Sequence, residues 1–309
     1  MYWEVFAVYS IALVIVGIHS VSLYWNNLYR IGFIMTNDFE MVDGIKCFSL
    51  KEAYFNDGFD CSHFKKLYNL EENSFWFRCR NRIIRILVNR FVNKKTDAKF
   101  LEIGCGTGFV LKGLLELGLR NITLVGSDVY LEGLKYARAR LNASVELIQL
   151  DALNIPFENE YDYIGAFDVL EHVVDDEQVL ENIHRCLKEN GLLFISVPQY
   201  RFLWSYFDEI SQHKRRYSKQ EIQDKLINHN FSVCYHSSFI STLFPLMVAS
   251  RKIKGNKKIS SSGINYDELR VNKVLDKLFE YILRIDEVLI RLNFRLPVGG
   301  SLIVVARKN

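Results

Sequence analysis

The stretch FLEIGCGTGFVLKGL, residues 100–114, decides how the rest of the chain is read. An apolar run stops at Glu102, passes through Gly104, Gly106 and Gly108, and continues as the apolar pattern of a helix. A glycine-rich turn between a strand and a helix lets backbone approach a bound nucleotide closely, with the first helical N–H groups at hand. The spacing is Gly-x-Gly-x-Gly, one residue short of the Gly-x-Gly-x-x-Gly that packs a pyrophosphate in dinucleotide dehydrogenases. Glu102 just ahead of the turn is a poor neighbour for pyrophosphate and a good one for a ligand bearing an amino group.

Working outward, strands and helices alternate. KFLEIG, ITLVGSD, VELIQLDA, YDYIGAFD and GLLFISVP read as strands, with helices over residues 109–117, 131–141 and 176–187. Short apolar strands separated by helices predict a doubly wound, mainly parallel sheet. FSVCYHSSF and GGSLIVVARK bring the expected number of strands to seven. Between those two lies a helical insert, over about residues 240–295, that begins apolar and continues with Arg251, Lys252, Lys254, Lys257 and Lys258. Before the alternation, residues 31–95 form a lead-in, turn-rich as far as Asn73. It ends in a basic helix with Ile83, Ile84, Leu87 and Phe91 on its inner side. The alternating domain itself spans residues 96–309.

With 309 residues, a net charge of +3 and 49% hydrophobic residues, the chain is an ordinary globular one with no strong polyanion signal. Its six cysteines include no C-x-x-C pair, as expected of reduced cytosolic thiols without a zinc site. Residues 5–25 contain no Asp, Glu, Lys or Arg and are long enough to cross a bilayer core of about 30 Å. Aromatic residues flank both ends, and Arg30 places the remainder of the chain on the cytoplasmic side. Residues 1–30 are therefore expected to be an inner-membrane anchor, a buried helix, or a non-native extension if Met35 or Met41 is the true start.

LEIGCGTG closely resembles the first motif of the class I S-adenosylmethionine-dependent methyltransferases. The resemblance continues in order through ITLVGSD, LDALNIPF, YDYIGAFDVLEHV and LKENGLLFISVP, and covers about residues 64–308. It implies a Rossmann-like fold with an antiparallel last strand. It also implies that S-adenosylmethionine is held by Glu102, Gly104, Cys105, Gly106, Asp128, Val129, Asp151, Ala152 and Phe167. Within that set, Asp128 serves the ribose hydroxyls, and Asp151 and Ala152 flank the adenine. FLWSYFDEISQHKRRYSKQEI has the look of bacterial methyltransferases acting on surface glycans or lipid-linked sugars.

Methyl transfer needs an aligned nucleophile and an exit for its proton. After the fourth strand, the Asn/Asp-Pro-Pro-aromatic segment of the amino-group methyltransferases is replaced by FDVLEHV. That points to an oxygen on a small-molecule or lipid-linked acceptor. His213 is the candidate base and Asp168 a second catalytic candidate; Asp208 and Tyr217 lie in the same block, and KRRYS is basic enough to hold an acceptor anion. Asp168, Glu171 and His172 stand at i, i+3, i+4, the spacing of one helical face. With His213 they resemble the magnesium ligands of small-RNA 3′-end methyltransferases, where the metal lowers the pKa of the acceptor hydroxyl. Here Asp occupies the first position and Val173 replaces a second His.

The leading expectation is an O-methyltransferase acting on a glycan, lipid-linked sugar or quinone-like molecule, associated with a membrane, with Mg2+ as a second candidate cofactor. The rivals are a magnesium-dependent RNA-end methyltransferase and a non-catalytic methyltransferase-fold subunit. Nucleic acid is disfavoured because the basic helix offers only a modest groove.

Overall fold

A computed structural model describes residues 39–55, 61, 63–93, 96–254 and 272–309. The strands are β1 (Glu40–Val42), β2 (Ile45–Cys47), β3 (Ala98–Ile103), β4 (Ile122–Asp128), β5 (Glu146–Gln149), β6 (Tyr161–Phe167), β7 (Leu187–Pro198), β8 (Phe231–Phe239) and β9 (Ser301–Lys308). They form one sheet in the order β1-β2-β5-β4-β3-β6-β7-β9-β8. Pairing is parallel from β2 through β5, β4, β3 and β6 to β7, while β9 runs antiparallel to both β7 and β8. The chain winds outward from β3 to β5, then restarts at β6 on the other side of β3. A crevice therefore opens beyond the carboxyl ends of β3 and β6, where α/β sheets bind ligands.

The expected seven strands are present, and among the described residues the sheet has nine. The two extra strands are a hairpin in the lead-in, joined at Asp43 and Gly44 with φ of 49° and 72°. Two positive φ values at an Asp-Gly pair are what a two-residue primed turn demands. The hairpin docks on the β5 edge through Lys46 and Cys47. The side chain of Gln149 fastens it, accepting from Ser49 N at 3.1 Å and donating to Ser49 O at 2.8 Å.

The described helices are α1 (Leu50–Phe55), α2 (His63–Glu71), α3 (Phe75–Phe91), α4 (Phe109–Leu115), α5 (Leu131–Leu141), α6 (Asp176–Cys186), α7 (Tyr206–Ile210), α8 (Lys219–Asn228), α9 (Phe244–Lys254) and α10 (Lys273–Arg291). Ile83, Ile84 and Leu87 of α3 join Leu111 and Leu134 in the core on one side of the sheet; Phe91 packs at its margin. Val179, Leu180 and Ile222 fill the other side. A Cβ at Gly113 of α4 would lie 2.2 Å from Asn81 Oδ1, so the missing side chain lets α3 close on α4. Asn81 Nδ2 then donates to Phe109 O at 2.8 Å.

The arginines of α3 do not make an open basic groove. Arg78 pairs with Asp276 and Glu280 at 2.5 and 2.6 Å, and Arg82 with Glu280 and Glu287, both at 2.7 Å. The insert thus contributes α9 and α10, and α10 is clamped to α3 by charge. The candidate anchor over residues 5–25 lies outside the described residues. Among those described, no helix is long and apolar enough to cross a membrane.

Candidate active site

The strand β3 delivers Glu102 and then a turn in which Gly104, Gly106 and Gly108 all have positive φ. At Gly104, φ is 68°, and an added Cβ would meet Val169 Cγ2 at 2.6 Å, so both backbone and space require glycine. Next to Gly106 there is open room, bounded by Phe64 of α2 at 4.0 Å. Asp128, at the end of β4, accepts from Gly106 N and Tyr130 N, both at 2.8 Å. One carboxylate so ties the glycine turn to the next strand. Burial raises the Asp128 carboxyl to about 6, against the lowering effect of these backbone N–H groups.

Glu102 is buried, and its Oε2 finds no hydrogen-bond partner among the described residues. Burial drives its pKa well up, with Arg80 opposing and Glu71 and Asp128 adding to the rise. A buried acceptor with no donor is costly unless a ligand supplies one. The pair of carboxylates around an open glycine turn fits the amino and ribose groups of S-adenosylmethionine. Val129 and Asp151 lie beside them: Val129 O accepts from Gln149 Nε2 at 3.1 Å, and Asp151 Oδ1 accepts from Leu153 N at 2.9 Å. Ala152 O is held by Asn182 Nδ2 at 3.0 Å. Cys105 is buried with its thiol pKa pushed well up by burial, which suits a small spacer and not a nucleophile.

Phe167 ends β6 and Asp168 follows it. Asp168, with φ of 55°, turns away from the following segment and forms an ion pair with Arg80 Nε at 2.6 Å. Ser196 Oγ donates to its other oxygen at 3.1 Å, and Arg80 Nη2 donates to Phe167 O at 2.8 Å. The expected helical face of Asp168, Glu171 and His172 is not formed. Only a single 3₁₀ turn, Leu170–His172, exists there, and Asp168 precedes it in a left-handed conformation.

What gathers instead is Glu171, His172 and His213, whose candidate ligand atoms all lie within 4.8 Å of one another. The loop after β7 is brought to the loop after β6 by Lys214 N donating to Glu171 O at 2.7 Å. The rings of His172 and His213 meet edge to face at 4.7 Å. Glu171 is fully buried, and neither of its oxygens has a hydrogen-bond partner among the described residues. Burial first, then Asp168, pushes its pKa well up. For His172, burial and the neighbouring His213 lower the pKa to about 3, leaving a neutral ring at pH 7.

His213 is oriented by Asp208, whose Oδ1 lies 2.9 Å from His213 Nδ1. Asp208 is completely buried and receives Arg216 at 2.7 and 3.0 Å and Ser205 N and Oγ at 2.8 and 2.9 Å. Burial would raise this carboxyl, yet the hydrogen bonds from His213 and Arg216 outweigh it and hold the pKa down to about 2. An ionised Asp208 requires Nδ1–H on His213, so that in the neutral ring Nε2 is the nitrogen that carries the lone pair. KRRYS offers less to an anion than expected. Arg216 is spent on Asp208, Arg215 pairs with Asp176 at 3.0 Å, and Tyr217 donates to Asp176 at 2.7 Å, leaving only Lys214 exposed.

The raised Asp128 pKa sets a pH dependence. A carboxyl with a folded pKa near 6 carries its proton below that value, and the protonated form is a worse acceptor for hydroxyl donors. The affinity for S-adenosylmethionine is expected to be about tenfold weaker at pH 5 than at pH 8. Titration calorimetry checks this, and Asp128→Asn should flatten the dependence.

A sequence profile of a methyltransferase domain family matches residues 76–236, which takes in the glycine turn, Asp128, the β6 loop and His213. The chain is 33% identical over 119 residues to a ubiquinone biosynthesis O-methyltransferase of Glaesserella parasuis, a match covering 34% of this chain and 49% of that protein. It is 28% identical over 131 residues to a probable S-adenosylmethionine-dependent methyltransferase of Mycobacterium tuberculosis, covering 42% and 45%. The chain spans about half the length of the curated relatives it matches. In fold it is similar, with a TM-score of 0.53 and 17% identity over 80% of this chain and 96% of the other, to a chain from a Haloferax volcanii complex of a methyltransferase activator with its partner. The strand order, the glycine turn and the matched profile agree, and the chain belongs to this family of class I methyltransferase domains.

Proposed function

We propose that this protein transfers a methyl group from S-adenosylmethionine to a hydroxyl oxygen of a small, quinone-like or sugar-like acceptor. The observation that carries the reading is His213, held through Nδ1 by an ionised Asp208, at the same carboxyl end of the parallel strands as the glycine turn and Asp128. S-adenosylmethionine supplies a methyl already activated on a sulfonium; as the acceptor oxygen bonds that carbon, the S–C bond breaks and its electron pair stays on sulfur. Gly104 and Gly106 admit the donor, Asp128 holds its ribose, and Glu102 receives its amine. His213 Nε2 takes the acceptor proton, and Asp208 steadies the imidazolium that forms. The likeness to a ubiquinone biosynthesis O-methyltransferase supports an oxygen acceptor.

A second reading is favoured by the unpartnered oxygens of Glu171: a divalent ion held by Glu171, His172 and His213. With Asp168 engaged by Arg80, the donor set is two nitrogens and one carboxylate. That suits zinc, manganese or iron better than magnesium, which prefers oxygen donors and retained waters. Bound there, an ion would lower the pKa of an acceptor hydroxyl.

Transfer of a labelled methyl to hydroxylated quinone precursors and to reducing sugars tests the first reading. His213→Ala is expected to lower turnover by roughly 10²- to 10⁴-fold with cofactor affinity unchanged. Full activity in that variant would remove the base. Loss of transfer on chelation, restored by one specific ion, would establish the metal; indifference to chelation would leave His213 acting alone.

A further inference from the structure

The helix α10 buries Leu283 and Ile290 in the core, yet it also turns its acids inward and an apolar stripe outward. Its four acids all face the protein. Asp276 accepts from Phe75 N at 2.7 Å and pairs with Arg78, Glu280 and Glu287 pair with the arginines of α3, and Asp286 caps Ser241 N and Thr242 N at 2.5 and 3.1 Å. Its outward face carries Val274, Leu278, Tyr281, Ile285, Val288 and Leu292, every one exposed, with Val274 at 72% and Tyr281 at 79%. These positions recur at alternating spacings of four and three, so they fall on one stripe along the 19-residue helix, about 28 Å long.

Cations border one side of that stripe. Lys273, Lys277, Arg284 and Arg291 are all exposed and lie on the same flank; Arg284 alone of these reaches acids of α10, Glu287 at 3.1 Å and Glu280 at 3.9 Å. Beyond the flank, a cavity of about 520 Å³ between α3 and α10 is lined by Arg90 and Arg291, and by Arg82 and Arg85, whose charges are already paired with Glu280, Glu287 and Glu116. Arg90 there donates to the neutral oxygens of Ile290, Arg291 and Asn293 and lies over the Tyr235 ring at 5.5 Å, with no carboxylate partner among the described residues. An apolar stripe bordered by cations, with its helix's own acids turned away, is the make-up of a helix that lies in the plane of an anionic bilayer.

We infer that α10 is a membrane-docking surface: its apolar stripe enters the headgroup boundary of an anionic lipid leaflet while Lys273, Lys277 and Arg291 meet the lipid phosphates. The charge decides between occupants. A second copy of this helix laid along the stripe would set cation against cation, with no acid of α10 on either outward face to answer it. Negatively charged lipid answers it directly. This surface is independent of the methyl-transfer reading, because none of its residues lies in the candidate site.

The test uses the full chain with vesicles of phosphatidylcholine alone and with about 30% phosphatidylglycerol, by co-sedimentation at about 0.1 M salt. Two variants are compared with the wild type: Lys273→Glu/Lys277→Glu/Arg291→Glu, and Leu278→Ser/Ile285→Ser. All altered side chains are exposed, and circular-dichroism melts confirm folding. Binding to the anionic vesicles should exceed binding to the neutral ones, and each variant should lower the anionic binding at least about tenfold. Equal binding by wild type and both variants overturns the proposal, since the vesicles would then be held by another part of the chain. No binding by the wild type overturns it as well. So does a concentration-dependent dimer, seen by ultracentrifugation without lipid and abolished by the serine variant, which would give the stripe to a second copy.

Discussion

Replacing Arg80 by methionine is expected to cost about 3–5 kcal/mol of stability, the usual effect of breaking a buried ion pair. Arg80 is only 9% exposed, and its guanidinium is held between Asp168 and the carbonyl of Phe167 and lies over the Trp76 ring at 5.5 Å. It also opposes the burial-driven rise in the pKa of both Glu102 and Glu171. Without it, three carboxyls around the crevice lose their shared counter-charge. Methionine keeps much of the volume, so the loss is electrostatic and not a cavity. Urea unfolding measures it, and the Arg80→Met/Asp168→Asn pair should recover much of the loss, giving a coupling energy by double-mutant cycle. A change below about 1 kcal/mol would mean that the pair is better solvated than its burial indicates.

Asp128→Ala should weaken S-adenosylmethionine binding by two orders of magnitude or more. Hydrogen bonds to an ionised group are worth about 1.5–3 kcal/mol each, and a ribose offers two hydroxyl donors. The substitution also strands Gly106 N and Tyr130 N, which Asp128 now receives, so the glycine turn loses its tie to β4. Asp128→Asn separates the effects. It keeps an acceptor for one backbone N–H but loses the charge, and should fall between alanine and wild type. Calorimetry reads both, and affinity within threefold of wild type in the alanine variant would place the ribose elsewhere.

The glycine turn, Asp128 and the alternation of strands and helices were legible because each follows from local chemistry: positive φ at glycine, a carboxylate at a strand end, a period of two passing into one of 3.6. The hairpin was equally legible, since VDGI carries the Asp-Gly signal, but it sits in a segment with no other regularity. The face proposed for Asp168, Glu171 and His172 failed for a physical reason. Helical spacing predicts a shared face only inside a helix, and here the chain makes one 3₁₀ turn after a left-handed residue. Arg80 was missed among five arginines of one helix. The period separates them: Arg78 and Arg82 are four apart and share a face, while Arg80, two residues on, points nearly opposite. Which face meets the crevice is tertiary information. The same holds for Asp208, whose role depends on Arg216 and His213 arriving from a loop beyond it.

The placement of β9 bears on how the chain reaches this structure at all. β9 lies between β7 and β8, yet it is made after both, and after α9 and α10. Until it emerges, β8 has no sheet neighbour and β7 presents its outer edge unpaired. A nascent chain therefore carries two open strand edges through the synthesis of the whole insert, the kind of exposure that invites non-native pairing. Sheet completion waits for Ser301–Lys308, and a ribosome stalled within α10 would hold the β7 edge and β8 unpaired.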